Sequence, residues 1–304
     1  MKLAFSVLAV VCLAGPAWAQ SDKSAKSETQ VIMPEPSMRG VHWAKGVEHA
    51  RPARPGGGGS PNLTYHGGPI VATSTFVQPI FWGDSWQQTD PKVGAMDTFY
   101  TGSNGSSYLG TNTEYTNGSS QHVSTAVTVG NAFVDNASAP RRAPSTSAVL
   151  AEVCSQIGSS AVSNGYYPVY VDTPRGHAGY CAWHSWGSCG GVPITFAFFF
   201  NLDGDPGCDP GDTTSGHDQG VAALGNVSGH ELSEMLTDSR GNAWYDSTGY
   251  ENADKCAWKF GSQLLTFTDS AHTKWMIQGN WSNDAYNNKQ GYGGNRGCID
   301  GTNQ

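Results

Sequence analysis

Apolar and polar positions change their period along the chain, and these changes predict the order of the elements. Runs rich in β-branched and aromatic residues predict strands, and apolar positions three and four residues apart predict helices. Asp90 and Pro91 mark one helix start, because Asp caps a helix and Pro fits its first turn. The predicted elements are one or two strands in Pro69–Trp82, a helix at Lys92–Tyr100, a helix at Thr146–Ile157, strands at Tyr167–Val171 and Val192–Phe200, a helix at Ala222–Leu236, and strands at Leu264–Phe267 and Lys274–Gln278.

This order of strands and helices predicts one α+β domain with a mixed sheet over residues 63–304. The run Val192–Phe200 is almost continuously apolar, so we expect a strand that is buried on both faces. Residues 20–62 have a different texture, with Pro and Gly concentrated in Arg51–Pro61. Such a segment buries too little apolar surface to offset its ordering entropy, so it predicts a disordered leader or linker. A removable pro-segment is the alternative for the same residues.

The N-terminus has the parts of an export signal. Lys2 is followed by a short apolar run and then by Ala17-Trp18-Ala19, so residues 1–19 are predicted to be a cleavable signal peptide. The apolar run is too short for a permanent anchor, and no later segment is a transmembrane candidate. We therefore expect a secreted protein, extracellular or periplasmic, with no membrane partner.

Cysteine usage and charge narrow the class further. Of seven cysteines, Cys12 lies in the signal peptide, and the even remainder predicts disulfides in an exported chain. Cys181–Cys189 and Cys256–Cys298 are the pairs we expect. The net charge is −8 and no basic stripe is present, which argues against a nucleic-acid partner. No oligomerisation signal is visible, so a monomer is expected.

The sharpest chemical signal lies in the helix predicted at Ala222–Leu236. His230 and Glu234 are four residues apart and share one helix face, where they could hold a metal ion. Glu231 lies beside them as a base for metal-activated water, and Glu251 is the expected third ligand. Zinc accepts carboxylate oxygen, although two carboxylates and one imidazole make a harder, more anionic site than zinc usually has. A solvated acidic helix face is the competing interpretation. The reserve candidates for the third ligand are Asp238 and Asp254.

A second acidic cluster follows the strand Val192–Phe200. Oxygen side chains recur there at a calcium-loop spacing, although Pro206 stands where such loops need Gly. A tight turn rich in Asp, Gly and Pro explains the same composition. The candidate calcium ligands are Asp203, Asp205, Asp209 and Asp212.

A third candidate is His184, which stands between Trp183 and Trp186 and close to Cys181. It could serve as a metal ligand or a base. The alternative is an aromatic cluster packed against a disulfide, with the histidine hydrogen-bonded inside it.

Motifs spread over much of residues 63–298 resemble the EXORDIUM, or phosphate-induced protein 1, family of secreted proteins. That resemblance implies an extracellular role without catalysis, in which Trp and Tyr side chains bind cell-wall glycan or a surface partner. The motifs that carry it are Leu63–Ile70, Phe81-Trp82-Gly83, Cys181-x-x-His184, Phe196–Asn201, and Thr237-Asp238 followed by Asn242–Tyr245.

The stretch His230–Trp258 instead resembles zincin-like metallopeptidases, with a His-Glu-x-x-Glu pattern followed by Glu-x-x-Asp-x-Cys. This resemblance implies a zincin-like domain with an active-site helix. It assigns His230, Glu234 and Glu251 to the metal and Glu231 to acid/base catalysis. The pattern departs from the peptidase motif at Glu234, which replaces the second histidine. The favoured hypothesis is a zinc-dependent hydrolase of protein or peptide substrates, in which Tyr245 or His184 steadies the oxyanion.

Overall fold

The computed structural model describes residues 37–47 and 60–302, and the predicted signal peptide lies outside them. The helices are α1 Pro91–Ser103, α2 Ser107–Gly110, α3 Thr146–Ile157, α4 Gln219–Thr237 and α5 Asn283–Asn287. The strands are β1 Arg39–Trp43, β2 Thr64–Tyr65, β3 Thr75–Val77, β4 Ile80–Trp82, β5 Val127–Val129, β6 Phe133–Asp135, β7 Gly165–Pro174, β8 Tyr180–Cys189, β9 Val192–Asn201, β10 Trp244–Tyr245, β11 Leu265–Thr266, β12 Lys274–Trp275, β13 Asn280–Trp281 and β14 Cys298–Ile299.

The main sheet is mixed, as predicted. β8 and β9 form an antiparallel hairpin across Gly190 and Gly191, which both adopt the positive φ that a two-residue turn requires. β9 pairs parallel with β7, and β7 pairs parallel with β3 and β4 on its other side. β5 and β6 continue the sheet beyond β3 and β4, whereas β1 closes the opposite end antiparallel to β8.

Helix α4 lies at the centre of the domain and packs against β1, β8 and β9. Every residue from Gly220 to Thr237 is buried, because sheet and loops surround the helix on all sides. The predicted solvated acidic face is therefore wrong. Any charged side chain on this helix must find its partners inside the protein.

The structure confirms the predicted helices at Thr146–Ile157 and Ala222–Leu236. It also confirms the two predicted strands that correspond to β7 and β9. In the described part of the chain, sequence patterns missed the long strand β8 and seven short strands, β1, β2, β5, β6, β10, β13 and β14. The disordered leader predicted over residues 20–62 is wrong for Arg39–Trp43, which form β1. Val41 and Ala44 of that segment are buried in the core, and this burial offsets the cost of ordering it.

The six cysteines of the described domain form three disulfides: Cys154–Cys189, Cys181–Cys208 and Cys256–Cys298. The predicted pair Cys256–Cys298 is confirmed, and the pair Cys181–Cys189 is wrong. Cys181 and Cys189 stand near opposite ends of β8, where an extended chain separates them by about 26 Å. Within residues 37–47 and 60–302, no helix has the length and apolarity needed to cross a membrane.

Candidate metal centre

Three elements bring two histidines and three carboxylates into one buried cluster. α4 contributes His230, Glu231 and Glu234, β8 contributes His184, and the loop after β10 contributes Glu251. We call these five residues the His–Glu cluster. Its two histidines and the two glutamates of α4 have no solvent exposure, and Glu251 is 4% exposed.

The local fold fixes each side chain. His230 and Glu234 are one helical turn apart, and the His230 Nε2 atom lies 3.2 Å from Glu234 Oε1. The same Glu234 oxygen accepts the backbone N–H of Asp254 at 2.9 Å, which ties the Glu251–Asp254 loop to the helix. The disulfide Cys256–Cys298 holds the end of that loop. The carboxylates therefore stand close together on a rigid frame.

His184 extends from β8 into the cluster, and both of its ring nitrogens face carboxylates there. Its Nδ1 atom lies 3.1 Å from Glu231 Oε2 and 3.7 Å from Glu234 Oε2. An ionised Glu231 only accepts, so in that state Nδ1 carries the proton and Nε2 presents a lone pair. That Nε2 faces Glu251 Oε2 at 3.6 Å, and neither atom has a hydrogen-bond partner among the described residues. Two electron-rich atoms that face each other in a buried site call for a proton or a cation between them.

Gln278 assigns the opposite tautomer to His230. Its Oε1 accepts the backbone N–H of Trp258, and its Nε2 donates to the backbone carbonyl of Ala253, which fixes the amide orientation. The same Nε2 lies 2.9 Å from His230 Nδ1, so this ring nitrogen accepts and the proton lies on His230 Nε2. In this arrangement His230 Nε2 carries a proton and lies 3.2 Å from Glu234 Oε1 without forming a hydrogen bond, whereas His184 Nε2 keeps a free lone pair.

Burial also decides the charge of the cluster. It lowers the pKa of His184 to about 3 and that of His230 to about 4, so both imidazoles are neutral at neutral pH. Burial, together with the nearby charge of Glu234, raises the pKa of Glu231 and of Glu251 well above the ordinary value. Among the described residues, no Lys or Arg forms an ion pair with Glu231 or Glu251. These raised pKa values favour protonated carboxyl groups in the metal-free cluster, and a bound cation would take the place of those protons.

Two overlapping sets of side chains could hold a metal ion, each with its ligand atoms within 4.8 Å of one another. One set is His184, Glu234 and Glu251, and the other is His230, Glu231 and Glu234. The set predicted from sequence, His230 with Glu234 and Glu251, is divided between them. The tautomers favour the first set, because only His184 offers a lone pair.

The other predicted site residues have different contacts. Tyr245 stacks on the ring of His66 at 3.6 Å between centroids and pairs with β2. No contact among the described residues joins Tyr245 to the His–Glu cluster, and its role in catalysis stays a prediction. Asp238 caps the loop after α4 by accepting the N–H groups of Asn242 and Ala243. Asp254 reaches to 3.9 Å from His230 Nε2 and borders the cluster.

The four aspartates of the predicted calcium loop do not converge. Each has partners of its own at the surface, and no metal-binding set among the described residues includes them. Asp203 pairs with Lys92 at 2.7 Å, Asp205 with Arg175 at 2.6 Å, Asp209 accepts the N–H of Gly211 at 2.7 Å, and Asp212 accepts those of Thr214 and Ser215 at 2.9 and 3.0 Å.

Sequence reasoning missed two residues that border the cluster, His42 and Gln278. His42 is fully buried, its Nε2 lies 2.9 Å from Gln278 Oε1, and its ring centroid lies 4.4 Å from that of His230. The only sequence pattern that could have indicated the burial of His42 is its position between the apolar residues Val41 and Trp43. Gln278 stands at the end of a predicted strand, and nothing in the sequence marks its contact with His230.

Comparison with protein-family models, curated proteins and solved structures gives no match for this chain. The assignment of a function therefore rests on the geometry of the cluster.

Proposed function

We propose that this protein is a secreted, zinc-dependent hydrolase of protein or peptide substrates, with its active site in the His–Glu cluster. The observation that carries the proposal is the pair of unpartnered buried atoms, His184 Nε2 and Glu251 Oε2, 3.6 Å apart beside Glu234. Burying two such polar atoms costs free energy unless an ion or a proton lies between them. Perturbed, buried groups of this kind cluster at functional sites, which supports an active site here.

The donor set fits zinc. Zinc takes imidazole nitrogen and carboxylate oxygen at about 2.0–2.1 Å, and a tetrahedron with such bonds has edges of about 3.3–3.4 Å. The 3.6 Å separation of His184 Nε2 from Glu251 Oε2 is close to that edge, and Glu234 offers an oxygen within the same 4.8 Å set. We therefore assign the ligands as His184, Glu234 and Glu251. Three protein ligands leave a fourth position open, as catalytic zinc sites require.

The remaining residues have roles that follow from their contacts. Glu231 accepts the Nδ1–H of His184, which fixes the tautomer and the ring orientation of that ligand. Its second oxygen, Oε1, is buried without a hydrogen-bond partner among the described residues, and we assign Glu231 the role of the base that takes a proton from water and passes it to a leaving amine. Zinc, when bound, supplies Lewis acidity to a substrate carbonyl and lowers the pKa of water.

Two further features support the proposal. The central helix with its His-Glu-x-x-Glu motif, set under a mixed sheet, is compatible with a zincin-like fold, which we propose for this domain. Three disulfides suit an oxidising compartment, and they support secretion.

The alternative is a non-catalytic EXORDIUM-like protein that binds glycan on aromatic side chains. It gains little from the described surface, where every Trp and Tyr is buried or half-buried. A stacking platform for sugars needs an exposed aromatic face, so we favour the hydrolase.

Elemental analysis of the purified protein tests the metal site. We expect about one zinc per chain in the wild type and in His66→Ala, a control histidine that lies outside the cluster. His184→Ala should lose the metal. If the metal is lost in His230→Ala but not in His184→Ala, the ligands are instead those of the second set, His230, Glu231 and Glu234. Absence of metal from the wild type after zinc loading would overturn the proposal.

A further inference from the structure

Strand β1 lies across the His–Glu cluster at the edge of the main sheet. It pairs antiparallel with β8, and Arg39 is the register partner of His184 itself. The strand is preceded by a predicted leader and is followed, after Val47, by the Pro- and Gly-rich stretch Arg51–Pro61. A short segment from outside the predicted domain thus covers the site.

The backbone of Gly40 is the part of β1 closest to the cluster. A Cβ atom added to Gly40 would stand 1.9 Å from Glu234 Oε2 and 2.3 Å from His184 Cε1. Peptide groups of β1 therefore contact the same side chains that a peptide substrate would have to reach.

Side chains and neighbouring loops hold the segment in place. His42 binds Gln278, and the carbonyl of Trp43 accepts the indole N–H of Trp258 at 2.9 Å. Beyond the strand, the N–H groups of Ala44 and Lys45 bind the carbonyls of Gly179 and Gly207. With these contacts made, the cluster has almost no exposure to solvent, so a substrate cannot approach it.

We propose that residues 37–47 are an autoinhibitory segment that occupies the substrate groove, and that an extended polypeptide takes the place of β1 when the segment leaves. This inference rests on the proposed function, because only a hydrolase has a substrate that the segment could exclude. Its physical basis is independent: the exposed edge of β8 would offer unpaired N–H and C=O groups, and an extended chain satisfies them by adding one strand. The enzyme as folded is then latent, and release of the segment activates it.

Gly40→Ala provides the test in the full-length chain. The added methyl group collides with Glu234 and His184, and a φ of +44° disfavours any side chain, so the substitution should expel the segment. Gly46→Ala is the matched control, because Gly46 has a φ of +74° but no atom within 4 Å of its Cβ position. We expect hydrolysis of a fluorogenic peptide library by Gly40→Ala to exceed that of the wild type and of Gly46→Ala by about tenfold or more.

A synthetic peptide with the sequence of Ser37–Val47 supplies the second readout. Labelled for fluorescence anisotropy, it should bind Gly40→Ala, inhibit its activity and show no binding to the wild type, whose groove is filled. A peptide that carries alanine at position 40 should fail in both assays. If Gly40→Ala does not fold, His42→Ala, which removes the bond to Gln278, takes its place.

The outcomes separate this inference from the proposed function. Equal activity of the wild type, Gly46→Ala and Gly40→Ala would overturn latency and leave the hydrolase intact. Peptide binding to Gly40→Ala without hydrolysis, in protein that contains zinc, would support the groove and refute the hydrolase. No peptide binding to either opened variant would overturn the inference. Activity that appears in Gly40→Ala and disappears in the double variant with Glu231→Gln would support both.

Discussion

The His–Glu cluster and the loop Asn201–Asp212 are both rich in acidic groups, yet they differ in how their carboxylates are satisfied. In the loop, each aspartate has a cation or backbone N–H groups of its own. In the cluster, a lone pair of His184 and an oxygen of Glu251 face each other without a hydrogen-bond partner among the described residues. Within the described chain, the loop leaves one buried oxygen, Asp212 Oδ2, without a partner, whereas the cluster leaves a nitrogen and an oxygen facing each other at 3.6 Å.

Burial accounts for the size of this difference. The loop aspartate Asp203 is about half exposed, so water solvates its charge even without Lys92. The cluster is enclosed by α4, β8 and β1, where an uncompensated charge is far more costly. Acidic spacing along a sequence therefore says less about a metal site than the partners that the fold gives or denies each oxygen.

The largest expected effect is thermal. If the cluster binds zinc and the loop binds no cation, a chelator should destabilise the protein and calcium should not restore it. Free zinc at a thousand times its Kd stabilises by about 4 kcal/mol, which corresponds to roughly 8–16 °C in Tm for a domain of this size. Calorimetry with EDTA, zinc and calcium measures the shift. A Tm that calcium restores and zinc does not would reverse the comparison.

The next effect concerns affinity. Glu251→Gln should weaken zinc binding by more than about 100-fold, since even groups that only contact a metal ligand change affinity by about 10- to 100-fold. The matched loop variant Asp209→Asn should bind zinc as the wild type does. Competition with a chromophoric chelator gives both constants. Equal losses in the two variants would show that total acidity, and not the cluster, holds the metal.

A third test compares buried and exposed polar side chains without metal. Gln278→Ala leaves the Trp258 N–H, the Ala253 carbonyl and both adjoining histidines without their amide partner. Unsatisfied buried groups of this kind cost about 1–3 kcal/mol each, so we expect the free energy of unfolding to fall by at least that amount. Gln290→Ala, at an exposed position, should change it by less than about 0.5 kcal/mol. Denaturation by urea of metal-free protein decides the matter, and similar values would contradict the assigned hydrogen bonds.

Sequence periodicity predicted the helix α4 and the shared face of His230 and Glu234, because both follow from the helical repeat alone. It also brought Glu251 and His184 into consideration by residue type. What it could not predict is which nitrogen of each ring is free. That depends on Gln278, 48 residues beyond His230, and on Glu231, 47 residues beyond His184. Such contacts arise from tertiary packing and leave no local pattern.

The same limit explains why two of the missed strands, β8 and β1, escaped prediction. β8 contains the polar and small residues Ser185, Gly187 and Ser188, which obscure its alternation. β1 is short and lies in a segment whose composition predicts disorder, but the edge of β8 gives its backbone groups partners. Order in β1 thus depends on its pairing with β8 together with the burial of Val41.

The smallest expected effect is the contribution of the loop to stability, and it depends on pH. Burial alone would raise the pKa of Asp205, but hydrogen bonds from Arg175 and from the Gly207 N–H outweigh it and lower that pKa below its ordinary value. A lowered folded-state pKa contributes stability above the unfolded pKa, and the contribution disappears as the pH falls through the folded value. Asp205→Asn should therefore lower the free energy of unfolding by roughly 1 kcal/mol or less at pH 7. The difference from the wild type should vanish in strong acid, where both side chains are neutral. Urea denaturation of both proteins across the acidic range measures it. A difference that persists below the folded pKa would mean that the loop depends on the shape of Asp205 and not on its charge.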